Sequence, residues 1–137
     1  MLPEPFEISN DPARIDAAVV HEYLSASYWA QGRSRATVER SIRSSFCFGA
    51  YHSGRQIGFG RVITDFAVFA YLADIFVIPE YQGRGIGKAL VRAMLDDPQL
   101  EGVQLMLLRT RDAHSFYHQF GFQALARPEE MMGRYAS

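Results

Sequence analysis

The sequence predicts a mixed α/β (α+β) domain, and three observations carry that prediction. Two strand-like runs, Phe46 to His52 and Gln56 to Thr64, are separated by Ser53-Gly54-Arg55, the pattern of a hairpin. A nearly all-apolar run, Ala70 to Ile78, precedes a helical pattern and a second apolar run, Val103 to Leu108. That strand–helix–strand unit is expected to close as a right-handed parallel crossover. Before residue 46 the apolar residues recur at helical rather than strand spacing.

Taken in order, Phe6-Glu7-Ile8 reads as a short strand closed by Ser9-Asn10. Asp11 is expected to cap a helix with Pro12 in its first turn. Ile15, Ala18, Val19 and Tyr23 share one face of that helix, which should end near Ser27. Tyr28 to Arg33 reads as a loop, and Val38 with Ile42 as a second, shorter helix. The apolar density of Ala70 to Ile78 suits a strand covered on both faces, ended by Pro79. Ile86, Ala89, Leu90, Ala93 and Met94 line one helix face, with Lys88 and Arg92 opposite. Pro98 forces that helix to stop before it. Ala113 to Phe120 is a further helix, with Ala113, Phe116, Tyr117 and Phe120 on one side, and Gly121-Phe122 leads into a last strand.

Composition narrows the function. The 137 residues, 48% hydrophobic, suit one domain spanning 1–137 and exclude intrinsic disorder. Fourteen Lys and Arg against fifteen Asp and Glu leave a net charge of −1, so no general basic surface for nucleic acid is expected. No run approaches the roughly 20 apolar residues of a membrane span. Met1-Leu2-Pro3-Glu4-Pro5 lacks the basic and apolar stretches of a signal peptide, so a cytoplasmic location is expected. The single cysteine, Cys47 within Phe46-Cys47-Phe48, reads as a buried small hydrophobe rather than a nucleophile. His114 and His118 share a helix face, but no third ligand accompanies them, and no metal is expected. Met131-Met132 either packs an edge or contributes to a homodimer contact.

The chemistry concentrates in Gln82-Gly83-Arg84-Gly85-Ile86-Gly87-Lys88, between the apolar strand and the amphipathic helix. Alternate glycines permit close approach of a ligand and positive φ where needed. The unpaired amides of a first helical turn, the helix dipole, and Arg84 with Lys88 all favour a phosphate or pyrophosphate. The Walker pattern fails, because Gln82 replaces its first glycine and Ala89 its Ser/Thr. The dinucleotide fingerprint fails as well, because Lys88 stands at its third glycine.

What remains, Gln82-x-x-Gly85-x-Gly87 after Val77-Ile78-Pro79-Glu80-Tyr81, resembles the acyl-CoA pyrophosphate loop of the GNAT superfamily of N-acetyltransferases. Thr110-x-x-Ala113-x-x-x-Tyr117-x-x-x-Gly121-Phe122 resembles a second stretch of the same family, with threonine in place of the usual asparagine. Ser27-Tyr28-Trp29 and Asp112-Ala113-His114 look like a bacterial branch of small single-domain members. The resemblance implies a GNAT-like fold, with a central mixed, mostly antiparallel sheet flanked by about four helices. It implies acetyl-CoA as co-substrate and transfer of acetyl to the primary amine of a small molecule or peptide.

The resemblance also implies roles. The backbone of Phe76 and Val77 would pair with the pantetheine arm, with an N–H near Val77 polarising the thioester carbonyl. Gln82, Gly83, Arg84, Gly85, Ile86, Gly87 and Lys88 would hold the pyrophosphate, and Thr110 would line the same donor site. Tyr117 takes the family's tyrosine position, as hydrogen-bond donor to the departing thiolate. The residues themselves nominate Asp74 as base, the only charge from Phe66 to Ile78, or else a structural hydrogen-bond acceptor with a water chain serving as base. Tyr28, Trp29 and Arg33 offer an aromatic wall and a cation for an acceptor that carries a carboxylate, with Arg61 and Asp65 as further candidates. A non-catalytic acyl-CoA sensor of the same fold is the rival reading, and a poised Asp74 and Tyr117 argue against it.

Overall fold

The described residues form five strands that lie in chain order in one sheet. They are β1 (Phe6–Ser9), β2 (Phe46–His52), β3 (Arg55–Thr64), β4 (Phe69–Val77) and β5 (Leu105–Leu108). The computed structural model describes residues 2–136. β1 to β4 pair antiparallel and β4 pairs β5 parallel, so the sheet is mixed and mostly antiparallel, as expected. Ser53 and Gly54, both at positive φ, make the two-residue turn between β2 and β3, where His52 faces Arg55.

Among the described residues, four α-helices flank the sheet: α1 (Ala17–Ser25), α2 (Arg35–Arg43), α3 (Ile86–Asp96) and α4 (His114–His118). Val20 and Leu24 of α1 and Val38 of α2 pack with Cys47, Phe59 and Phe76 on one side of the sheet. Leu90 and Met94 of α3 pack with Phe48, Val62 and Leu72 on the other. β4 therefore contributes to cores on both faces.

Several boundaries differ from expectation for local reasons. Asp11 caps only a short 3-10 turn, Pro12–Arg14, and α1 starts from a second cap, Asp16, whose carboxylate accepts from the Ala18 and Val19 amides. Val103 lies in a turn closed by its N–H to the Leu100 carbonyl, so β5 begins two residues late. The helix expected over 113–120 shortens to α4. The strand expected after Phe122 is absent among the described residues. The Phe122 N–H donates to the Tyr117 carbonyl and its carbonyl meets His118 Nδ1 at 3.0 Å, so neither group is free for a ladder.

One irregularity positions the site. Between Phe59 and Arg61, two steps along β3, the facing β4 segment runs three steps, from Phe76 to Ala73. The surplus residue makes a bulge, and Asp74 within it adopts φ 55. The bulge reverses side-chain alternation: Leu72 joins the α3 core while Phe76 joins the α1 core. Regular alternation would put Asp74 on the face of both Leu72 and Phe76; with the bulge it lies on the α1 side with Phe76, toward Trp29 and Arg33, and not with Leu72.

Candidate active site

The bulge turns the Asp74 carboxylate into the floor of a cleft of about 810 Å³ between the α1–α2 loop and the ends of β4 and β5. Asp74 is buried, its side chain 3% exposed. Its Oδ2 accepts from Arg61 Nε at 2.6 Å and from Arg33 Nη1 at 2.9 Å, and Trp29 Nε1 donates to its Oδ1 at 2.8 Å. Burial pushes the Asp74 pKa up. The Arg61 hydrogen bond and charge, with Arg33 and Trp29 behind them, outweigh that push and hold it below the ordinary carboxylate value. Such a carboxylate is ionised at neutral pH, weakly basic and committed to three donors. Its geometry is that of an anchor for the loop carrying Trp29 and Arg33, the structural role that the sequence left open beside catalysis.

The aromatic wall follows from that anchoring. Trp29 is fixed through its indole N–H, and Tyr28 packs edge-on against it with ring centroids 5.2 Å apart. Arg111 lies 3.7 Å above the Tyr28 ring, and its backbone N–H donates to the Tyr28 hydroxyl at 3.3 Å. Arg61 belongs to the cleft, where its Nη1 also donates to Ser45 Oγ. Asp65 does not: its carboxylate accepts the Ala67, Val68 and Phe69 amides and shapes the turn into β4. Arg109 and Arg111 also line the cleft and were not singled out from sequence. Basic residues on both sides of Thr110 were the available signal.

Tyr117 enters the same cleft from α4, beside Tyr28 and Thr110. Its hydroxyl makes no hydrogen bond to another described residue. Burial, and secondarily the neighbouring Tyr28, push its pKa up to about 12, so the phenol keeps its proton across the neutral range. The Thr110 hydroxyl accepts the Ala113 N–H at 3.0 Å and so fixes the turn that launches α4.

β4 and β5 pair only from Phe69–Leu105 to Leu72–Leu108; beyond that the strands part, leaving one edge of β4 unpaired. Ile78 N–H bonds back to the Ile57 carbonyl of β3, so by alternation the Val77 N–H and carbonyl point to the open edge. The Val77 carbonyl there accepts Gln82 Nε2 at 2.8 Å, which ties the glycine loop to the strand end. The Phe76 side chain is stacked on Tyr23 at 4.1 Å between centroids, and by the same alternation its backbone N–H and carbonyl point to β3, so at that edge Val77, not Phe76, offers the hydrogen-bonding groups expected of the pair.

The loop has the form expected of an anion cradle. Gly83 and Gly85 sit at φ 78 and 79, and Gly85 opens α3 with no side-chain cap. The amides from Gly83 to Lys88 donate to no acceptor among the described residues. A Cβ on Gly83 or Gly85 would meet nothing within 4 Å, so the glycines serve backbone conformation rather than packing. Arg84 and Lys88 are exposed beside the free amides. A pyrophosphate fits this donor set.

The family model of the acetyltransferase (GNAT) domain matches residues 43–124. A crystal structure of a Xanthomonas campestris protein assigned to the GNAT family superposes with a TM-score of 0.94. It is 42% identical, over 99% of this chain and 96% of that one. The chain is also 29% identical to the histone acetyltransferase TAP1 of Glycine max, over 90% of its own length but only 48% of that protein's. A glucosamine-6-phosphate N-acetyltransferase from Arabidopsis thaliana, 15% identical with a TM-score of 0.69, shares the fold, over 98% of this chain and all of that one. The matched domain includes the glycine loop, Asp74 and Tyr117, whereas Tyr28, Trp29 and Arg33 precede it.

Proposed function

The chain belongs to the GNAT acetyltransferase family, and we propose that it transfers the acetyl group of acetyl-CoA to a primary amine directly, within a ternary complex. One juxtaposition supports the reading: the uncapped glycine loop is tied to the open edge of β4, and the same strand runs into the cleft lined by protonated Tyr117 with Tyr28, Trp29 and Arg33. Bound along that edge, acetyl-CoA would supply an acetyl group activated as a thioester.

The residues of this chain would then act as follows. Gly83 to Lys88 hold the diphosphate through their amides. Val77 N–H, aimed at the open edge, stabilises the charge that develops on the carbonyl oxygen. An acceptor amine, whose ordinary pKa is about 10.4 in the case of lysine, arrives protonated, and cleft water takes its proton because the three donors on Asp74 make that carboxylate a weak base. Tyr117 donates a hydrogen bond to the departing sulfur. Its pKa of about 12 lies above the value of about 8.5 for a thiol, so it stabilises the thiolate without surrendering its proton, which solvent supplies. Cys47 is left out of the chemistry: it is buried, and desolvation pushes its thiol to about 11. The cytoplasm remains the proposed location, and residues 1–137 the proposed working domain.

The soybean relative's name refers to histones, but the cleft here is arginine-rich, which supports a smaller, less basic acceptor. The test is thiol release from acetyl-CoA against a panel of amines, with mass spectrometry of the N-acetylated product. Acetyl-CoA binding with no amine-dependent release would replace transfer with sensing.

A further inference from the structure

The cleft beside Tyr117 holds Arg33, Arg61, Arg109 and Arg111 against Asp74 and Asp112, four positive charges less two negative. The imbalance is already present on its floor, where two guanidiniums share one buried carboxylate. Arg61 spends Nε on Asp74 and Nη1 on Ser45, whereas Arg33 uses only Nη1, leaving Nε and Nη2 without a described partner. The Arg33 side chain is 24% exposed, accessible yet held in place. A guanidinium so fixed has lost much of its water and offers a preorganised fork to an anion. Tyr28 and Trp29, 47% and 39% exposed, extend the site with apolar surface.

Resting on the acetyl-transfer reading, we propose that the acceptor is a small amine bearing its own compact anion, a carboxylate or phosphate. The anion seats on the free fork of Arg33, backed by the charge of Arg61, while an apolar body lies against Tyr28 and Trp29. Arg109 and Arg111 at the rim attract such a molecule and repel lysine-rich chains. Because Asp74 neutralises only one of the two floor arginines, the site is incomplete without an incoming anion.

Calorimetry and thiol release are run on one probe set: phenylalanine, its amide, phenethylamine, 2-aminoethyl phosphate and a lysine-rich peptide. An anionic amine should exceed phenylalaninamide in kcat/KM by about 10- to 100-fold, the range of one charge-assisted hydrogen-bonded contact. The amide has the less basic amine and hence more of the reactive neutral form, so intrinsic reactivity runs the other way. Phenylalanine against aminoethyl phosphate identifies which anion is preferred. Arg33→Gln should abolish the discrimination through KM with kcat and acetyl-CoA affinity retained, and Arg33→Lys should restore part of it. A thermal melt of both variants reports any loss of fold. Preference for the amide or the peptide, absence of anion-dependent binding, or discrimination that survives Arg33→Gln in a folded protein would overturn the proposal. Anion-selective binding without thiol release would instead sustain it while defeating the transfer reading.

Discussion

Arg61 and Asp74 meet at 2.6 Å across β3 and β4 although they are not register partners; Arg61 faces Ala73. The bulge in β4 makes the contact, advancing the carboxylate by one position and turning it to the face that Arg61 occupies. The same device parts β4 from its regular course just where the β4–β5 ladder ends. The floor of the cleft and the open edge of β4 thus share one local cause.

Asp74→Asn should destabilise the protein by about 3–5 kcal/mol, because it leaves two partly buried guanidiniums without their counter-charge. Urea denaturation reads this directly. The Asp74 pKa is depressed on folding, so its contribution is full above the ordinary carboxylate pKa and disappears as pH falls through the lower folded value. Wild type should therefore lose stability in that acid range, and the variant should lose less. A large fall in kcat with unchanged stability would instead make Asp74 the base.

Tyr117→Phe should lower kcat by about 10- to 100-fold, the range of a hydrogen bond to a charged atom, with acetyl-CoA affinity nearly unchanged. Ultraviolet titration should place the Tyr117 phenol near 12. Its folded pKa is raised, so the linked stability is complete below about 10 and is lost as pH rises through 12. No alkaline limb from Tyr117 should therefore appear in the neutral pH–rate profile.

At Gly85, φ 79 matters and space does not, since an added Cβ would meet nothing. Acetyl-CoA affinity should fall in the order Gly, Asn, Ala, Val, because asparagine tolerates left-handed backbone and a β-branched residue does not. Calorimetric titration of the four proteins tests the order. A valine variant that binds normally would remove the loop from the donor site.

Cys47→Ala should retain kcat, and the wild-type protein incubated with acetyl-CoA should show no acetylated thiol by mass spectrometry. The thiol is 5% exposed and raised to about 11, which leaves it neutral and shielded. An acetyl-cysteine that forms and disappears at the turnover rate would replace direct transfer with a covalent route.

Much of this was legible in the sequence, for identifiable reasons. The β2–β3 hairpin, the crossover through α3 and the Gln82–Lys88 loop depend on local patterns: alternation, helical spacing and glycines before a helix. Asp74 stood out because a lone charge in an apolar run demands a partner. Its partners were not legible, because Trp29 and Arg33 reach it from the α1–α2 loop and Arg61 from β3, through a bulge at a residue other than glycine. The missing last strand had a similar cause, since the Phe122 backbone is consumed by contacts with Tyr117 and His118.

Acetyl transfer to an amine is read out by following coenzyme A thiol release from acetyl-CoA with and without small amines, and identifying the product by mass spectrometry. For a transferase, release depends on the amine and matches the N-acetylated product mole for mole. Tight acetyl-CoA binding with no amine-dependent release would contradict transfer.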